Sequence, residues 1–170
     1  MTVFEAIKKR YSCRTYQDKP VEQEKLDKIF EAARQAPSAK NLQDWRFVVV
    51  TDKKKKQQVA DCTNQAQAFG QAGAMIAACS VCGETMRCGQ QIAPIDVSIA
   101  LEHIALAATE LGLATCWVGS FDAEKVRQLL EIPKEVAIIE LMALGYPANG
   151  KRQTTREPIK AIVCYDKWRF

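Results

Sequence analysis

The sequence predicts an α+β fold in which helices cover a central sheet, and three features of the chain favour this class. Short apolar runs such as 45–51 and 136–147 have the length and residue types of strands. Between them lie segments whose apolar residues recur at helical spacing. The two kinds of segment do not alternate strictly enough for a doubly wound parallel sheet. No repeat or linker interrupts the chain, so residues 1–170 are expected to form one domain.

The first half of the chain is predicted to begin with a short amphipathic helix over 3–10 and an extended segment up to Pro20. A second helix over 22–36 carries its apolar residues on one face and ends before Pro37, because the residue preceding a proline disfavours the helical conformation. The remaining elements of this half are a strand over 45–51, a polar helix over 53–62, a helix or loop over 66–72 and a strand over 74–82.

The longest predicted helix runs from Ile95 to Leu111 and is apolar around most of its circumference. Such a helix must be buried on most sides, so we expect a partner subunit to supply part of its cover, with Ile104 as a candidate interface position. Gly112 is placed to end this helix. The elements that follow are a strand over 114–119, a helix over 121–133 with Asp122 near its N-cap, a strand over 136–147, a loop over 149–158 and a last strand over 159–166.

Composition excludes several classes of function. The 24 basic and 20 acidic residues leave a net charge of +4, which is too small and dispersed to indicate a nucleic-acid partner. No apolar run approaches the roughly 20 residues that span a bilayer. Glu5 and Lys8 interrupt what would be the apolar region of a signal peptide. We therefore expect a cytoplasmic protein without a membrane partner.

The seven cysteines are expected to be free thiols, because no signal peptide precedes them. Cys79 and Cys82 form a C-x-x-C pair, followed by Cys88, at a spacing that zinc or redox chemistry could use. On the predicted strand, however, Cys79 and Cys82 would point to opposite faces. Small core-filling residues are therefore the favoured interpretation, and no metal is predicted.

Catalytic side chains are scarce. The one histidine, His103, lies in the middle of the longest predicted helix, where a core or interface role is favoured over a catalytic one. The chain contains no G-x-S-x-G, P-loop or G-x-G-x-x-G motif. If the protein is an enzyme, its reactive atoms are expected to belong to a bound cofactor.

Two groups of polar residues suggest what that cofactor is. Arg10, Ser12 and Arg14 share one side of an extended segment, which suits a phosphate; a solvated basic surface is the alternative. In "APSAKNLQDW", two side-chain amides can donate to and accept from the edge of a heteroaromatic ring. In "WVGS", a glycine without a Cβ lets a backbone N–H approach a ring nitrogen closely. Together these features fit a flavin.

The sequence resembles the nitroreductase family of flavin mononucleotide (FMN) enzymes, in its small form. The resemblance rests on "RYSCRTY", "AARQAPSAKNLQDWRFVVV", "DVSIALEHIALAATELGLATCWVG", "LMALGYP" and the closing "REP". These segments run in the family's order and cover nearly the whole chain. The resemblance implies a mostly antiparallel sheet covered by helices and an intertwined homodimer with the flavin between its subunits.

The resemblance also implies the cofactor-binding residues. Arg10, Ser12 and Arg14 match the Arg-x-Ser-x-Arg segment that holds the FMN phosphate and part of the ring and ribityl chain. Arg156 matches a late basic residue on the phosphate. The other matches are a flavin-contacting loop, Pro37, Ser38 and Asn41, with Gln43 at its following polar position, and the segment beside the reactive N5 atom, Trp117, Val118 and Gly119.

Two departures from the family pattern bear on function. Asp44 stands where the family usually has proline, and its charge is expected to lower the reduction potential of the flavin and to repel anionic substrates. The short chain leaves little room for the helical insert that covers the substrate in longer members. The region from Gln65 to Gln71 is a further candidate for flavin contact, without an assigned residue.

The activity implied is hydride transfer from NADH or NADPH through flavin N5 to an electron-poor acceptor such as a nitroaromatic or a quinone, with no catalytic side chain. Two alternatives stay open. One is an FMN enzyme that dehydrogenates or dehalogenates a specific metabolite, and the other is a flavin-binding protein without turnover. The sequence contains no nicotinamide-binding fingerprint that would distinguish NADH from NADPH.

Overall fold

The computed structural model describes residues 1–151 and 154–170, so two residues of the predicted loop over 149–158 lie outside it. The α+β class is confirmed: four antiparallel strands form one sheet in the order β1-β2-β4-β3, packed by helices. The described elements are α1 Val3–Lys9, α2 Gln23–Arg34, β1 Trp45–Val50, α3 Lys53–Asp61, α4 Ala66–Gly70, β2 Ala74–Ser80, α5 Ile92–Glu110, β3 Ala114–Val118, α6 Ala123–Leu130 and β4 Ala137–Gly145, with short 3-10 turns at Ala39–Asn41 and Ile159–Ala161.

Local sequence signals account for the helix ends. Thr2 and Glu5 form a capping box at the start of α1, and the Asp122 side chain accepts the N–H of Lys125 at the start of α6, as its position near the N-cap predicted. α5 begins at Ile92, earlier than predicted. Pro94 is accommodated because it lies in the first turn, where a backbone N–H has no intrahelical partner.

The core has two halves, one on each face of the sheet. α2 and α5 pack on one face against side chains such as Ile76 and Met142, while α3, α4 and α6 pack on the other against Met75 and Leu141. β2 is buried at every position, as a central strand with both faces covered should be. This arrangement leaves the loops at the sheet ends to form a site.

α5 is the central helix, and its own chain covers more of it than expected. Ile104 is 0% exposed, so its assignment to a subunit interface was wrong: it lies in the core among side chains of α2, α5 and the sheet. Contrary to the sequence expectation, α5 is also long and apolar enough to cross a membrane by length and composition alone, with a mean hydropathy of 1.4. A buried core helix passes the same test, and 50% of the tested window is buried inside the chain.

The predicted last strand over 159–166 is wrong. The segment forms only the turn at Ile159–Ala161 and then continues without a helix or strand, with Ile159 75%, Tyr165 80% and Trp168 83% exposed. A strand needs a neighbour for its backbone groups and cover for one face, and this segment has neither within the described chain. A second exposed apolar surface lies on α1, where Phe4 is 84% exposed.

All seven cysteines are free thiols. The geometric reason given for Cys79 and Cys82 was wrong, because β2 ends at Ser80 and only Cys79 lies on it. Cys79 is buried in the core, where burial raises the pKa of its thiol to about 11. Cys88 is exposed on the segment before α5. Within the described residues, no three His, Cys, Asp or Glu side chains are grouped as metal ligands would be.

Candidate functional site

The extended segment after α1 is fixed along one end of the sheet by backbone hydrogen bonds. The N–H of Cys13 donates to the carbonyl of Thr115 at 2.9 Å, and the N–H of Gln17 donates to the carbonyl of Tyr146 at 2.9 Å. Cys13 and Tyr16 are buried against the core, whereas Ser12 and Arg14 are exposed. Alternation along an extended chain thus turns the polar side chains outward.

These outward side chains line a cleft of about 550 Å³ at the end of the sheet. Its described lining consists of Arg10, Tyr11, Ser12, Arg14, Thr15, Asn149, Gly150, Thr154 and Arg156. That lining contains three arginines and no Asp or Glu, so the cleft attracts anions. The structure therefore brings together all four residues that the sequence assigned to the phosphate.

Neighbouring groups fix parts of this lining. Arg10 Nε lies 3.4 Å from Glu102 Oε1 on α5. Arg156 Nη1 donates to the Thr154 hydroxyl at 3.0 Å and to the Thr155 carbonyl at 2.8 Å. The Tyr11 hydroxyl donates to the Asn149 carbonyl at 2.8 Å, and burial raises the pKa of Tyr11 to about 12. Tyr11 therefore stays a neutral donor near neutral pH.

A second cleft, of about 490 Å³, adjoins the first and shares Arg14 and Thr15 with it. The rest of its lining comes from the loop before α4 and from α4 itself: Asn64, Gln65, Ala66, Gln67, Ala68 and Gln71. The candidate region from Gln65 to Gln71, for which the sequence assigned no residue, lies here. The signal that could have found them is the group of four side-chain amides between positions 64 and 71, which suits the polar edge of a heteroaromatic ring.

The loop over 37–43 has a strained backbone. Lys40, Asn41 and Gln43 have φ values of 51°, 57° and 50°, in the left-handed region that glycine occupies more readily. Each non-glycine residue there costs on the order of 1–3 kcal/mol. Ser38 Oγ accepts the N–H of Gln43 at 3.0 Å and thereby closes the loop. The result is that Pro37, Asn41 and Gln43 are exposed at the surface.

Asp44, the departure from the family pattern, does not extend into solvent. It is 3% exposed and accepts a hydrogen bond from the Ser80 hydroxyl. Asp44 is therefore not a surface charge, and its effect on the flavin potential and on anionic substrates stays a prediction.

The segment Trp117–Gly119 lies where β3 leaves the sheet. A Cβ added at Gly119 would lie 3.4 Å from both carboxyl oxygens of Glu140 on β4, which is a tight but tolerable contact. Glu140 is half-buried, its Oε1 has no hydrogen-bond partner among the described residues, and desolvation raises its pKa. Sequence analysis missed Glu140, since a single carboxyl within an apolar strand pattern reads as a surface position.

The other predicted residues do not line the cleft that contains the three arginines. Neither the loop residues Pro37, Ser38, Asn41 and Gln43 nor the segment Trp117–Gly119 belongs to the described lining of either cleft. His103, by contrast, has a structural contact: its Nδ1 lies 3.0 Å from the Ala32 carbonyl, which links α5 to α2.

The comparison with known sequences decides the family. The sequence profile described as the nitroreductase family matches residues 7–81 and 60–146, which together take in most of the chain. The chain belongs to the nitroreductase family. Its mostly antiparallel α+β fold is the one that this membership implies.

Individual relatives agree with the family assignment. A Thermus thermophilus protein named NADH dehydrogenase is 32% identical, over 94% of this chain and 94% of that protein. A Bacillus subtilis protein named FMN reductase (NAD(P)H) is 28% identical, over 94% of this chain and 72% of that protein. The crystal structure of a nitroreductase family protein from Clostridium difficile superposes with a TM-score of 0.89 at 34% identity, covering 99% of this chain and 100% of that one.

Proposed function

We propose that the chain is an FMN-dependent oxidoreductase that takes a hydride from NADH or NADPH and passes it to an electron-poor acceptor such as a nitroaromatic or a quinone. Family membership and the names of the relatives support the coarser part, an NAD(P)H-dependent flavin oxidoreductase. The observation that carries the choice of FMN is the cleft whose described lining has three arginines and no carboxylate, which suits a terminal phosphate.

The described side chains fit an FMN molecule laid across the two adjoining clefts. Arg10, Arg14 and Arg156 would hold the phosphate, and Ser12 would donate a further hydrogen bond to it. Arg14 and Thr15 line both clefts, so they are placed to contact the middle of the molecule. The amides between 64 and 71 would then face the ring edge, while bound FMN would supply hydride acceptance and donation at its N5 atom.

The glycine at position 119 favours a flavin ring placed beside the end of β3. It has no left-handed φ, and the described atoms nearest to an added Cβ are the Glu140 carboxyl oxygens at 3.4 Å, a tight but tolerable contact. The fold therefore does not require glycine at this position. A flat ligand approaching the backbone N–H of Gly119 would require it, because a Cβ would hold the ring away.

The site is completed by a second copy of the chain in this proposal. The loop over 37–43 is exposed and lies outside both clefts of its own chain, although the resemblance assigns it to the flavin. Exposed apolar side chains on α1 and in the C-terminal segment supply surface for association, among them Phe4 and Trp168. In a homodimer, the loop of one protomer would reach the flavin held by its partner.

Steady-state oxidation of NADH and NADPH by the FMN-loaded protein, with nitroaromatic and quinone acceptors, tests the proposed function. We expect acceptor-dependent consumption of at least one nicotinamide. A protein that holds FMN but oxidises neither nicotinamide would favour the flavin-binding alternative. Turnover restricted to a single metabolite that is dehydrogenated or dehalogenated would favour the other enzyme class.

A further inference from the structure

Three separate parts of the chain meet at a buried pair of carboxyl groups: the loop over 37–43 with Asp44, α5, and the end of β2. Asp44 follows the loop, Asp96 lies on α5, and each is 3% exposed. Asp96 Oδ2 accepts the N–H of Ala39 at 2.8 Å, and Asp44 Oδ2 accepts the hydroxyl of Ser80 at the end of β2. The pair thus ties the loop to both α5 and β2.

The two carboxyl groups also interact with each other. The pKa of Asp96 is raised, and burial is the largest cause. The hydrogen bond from the N–H of Ala39 lowers this pKa. The charge of Asp44 and a hydrogen bond between the Asp44 and Asp96 side chains raise it further. The second oxygen of Asp44, Oδ1, is buried and has no hydrogen-bond partner among the described residues. Two ionised carboxylates in such contact inside a protein are strongly disfavoured.

Neighbouring charged groups are engaged elsewhere. Within the described chain, neither Asp44 nor Asp96 forms an ion pair with a lysine, an arginine or the histidine. The ionisable groups on the surrounding elements have other partners: Lys40 with Glu84, Arg46 with the carbonyls of Gln43 and Trp45, Glu102 with Arg10, and His103 with the carbonyl of Ala32. No described basic side chain therefore neutralises either carboxyl group of the pair.

We propose that Asp44 and Asp96 share one proton, which Asp96 carries and donates to the unpartnered oxygen of Asp44, and that this pair positions the loop over 37–43. The donated hydrogen bond satisfies Asp44 Oδ1 and leaves one negative charge, which accepts the Ser80 hydroxyl. Both aspartates act as positioning residues, since they fix the backbone at Ala39 and the start of β1. The proton pairing is independent of the proposed function, whereas its effect on FMN rests on that function.

The sign of the pH dependence follows from the shared proton. The folded protein holds this proton more tightly than the unfolded chain, because the pKa of Asp96 is raised in the fold. The pair's contribution to stability is complete below the ordinary pKa of an aspartate. It is lost as pH rises through the raised pKa of Asp96, since the two carboxylates then repel each other beside a strained loop.

The test compares Asp96→Asn with Asp96→Leu. The asparagine can accept the N–H of Ala39 and donate to Asp44 at any pH, whereas the similarly sized leucine can do neither. The main readout is hydrogen exchange at the Ala39 amide, corrected for the intrinsic rate, across the pH range in which the protein stays folded. Titration of the apoprotein with FMN is the second readout.

We expect protection at Ala39 to change with pH in the wild-type protein and to stay constant in Asp96→Asn. Asp96→Leu should exchange about tenfold faster or more at every pH, and should bind FMN about tenfold more weakly, while Asp96→Asn stays within about threefold of wild type. Asp44→Asn removes the other carboxylate and should abolish the same pH dependence, which keeps the test open if the leucine variant does not fold.

Equal pH profiles for wild type, Asp96→Asn and Asp44→Asn would overturn the shared proton. Full protection of Ala39 in a folded Asp96→Leu variant would overturn the positioning role. If the exchange pattern is as expected but neither wild type nor variant takes up FMN, the pairing stands and the proposed function fails.

Discussion

Replacing Arg14 with alanine is the most informative single perturbation, because Arg14 lines both clefts. Its guanidinium can donate to the phosphate from one side and to the rest of the cofactor from the other. Hydrogen bonds to charged groups contribute about 1.5–3 kcal/mol. Arg14→Ala should therefore raise the dissociation constant of FMN by roughly one to two decades.

The fold itself should tolerate this change. Arg14 is exposed, and substitutions at such positions usually alter the free energy of unfolding by about 0.5 kcal/mol or less. Ser12→Ala, which removes an uncharged donor, should weaken FMN binding less than Arg14→Ala does. A drop in affinity with an unchanged melting temperature of the apoprotein would thus locate the effect in the site.

The assay is a fluorescence titration of apoprotein with FMN at two salt concentrations, with Arg34→Ala as the matched control. Arg34 is an exposed arginine on α2, 2.7 Å from Glu31, and lies outside both clefts. Its removal should leave FMN affinity unchanged. The affinity difference between wild type and Arg14→Ala should shrink in high salt, because screening weakens exposed charges. If Arg14→Ala and Arg34→Ala bind FMN equally well, the assignment of the arginine cleft to the phosphate fails.

Three further predictions follow from other parts of the site and surface. Gly119→Ala should leave the melting temperature of the apoprotein within a few degrees of wild type but weaken FMN binding. A titration in which the variant binds FMN with wild-type affinity would contradict the placement of the flavin ring beside this segment. Desolvation raises the pKa of Glu140, so the stability of the wild-type protein should fall as pH rises from the ordinary glutamate pKa near 4.5 through the raised pKa of Glu140. Glu140→Gln should not show that fall. Thermal unfolding across pH checks this, and parallel curves for the two proteins would contradict it. Phe4→Asp should convert a dimer into a monomer with intact helical circular dichroism, because a side chain 84% exposed in one chain has no core to disturb; light scattering that finds wild type monomeric would refute the proposed association.

The sequence predicted elements whose signals are local. α2 follows from helical spacing ended by Pro37, and β1 and β4 follow from apolar runs of strand length. The polar face of the segment over 10–14 also follows from simple alternation. These features depend on residues within a few positions of one another, which a single sequence displays directly.

What the sequence could not supply depends on contacts between distant residues. The segment over 159–166 has strand composition, yet nothing in composition shows that it lacks a neighbouring strand. Asp44 reads as a surface charge until Asp96, 52 positions later, and Ser80 are placed beside it. Likewise, Ile104 reads as part of an uncovered helix face until α1 and α2 are packed over α5. The second cleft required the fold to bring α4 next to Arg14.

The central claim, that this chain holds a flavin reducible by a nicotinamide, is tested most directly by the visible absorption spectrum under anaerobic conditions. The protein reconstituted with FMN and freed of excess should keep the flavin absorption band at one flavin per chain. Addition of NADH or NADPH without any acceptor should bleach that band within the time of mixing and measurement. A chain that retains no FMN, or a bound flavin whose band neither nicotinamide changes, would contradict the account.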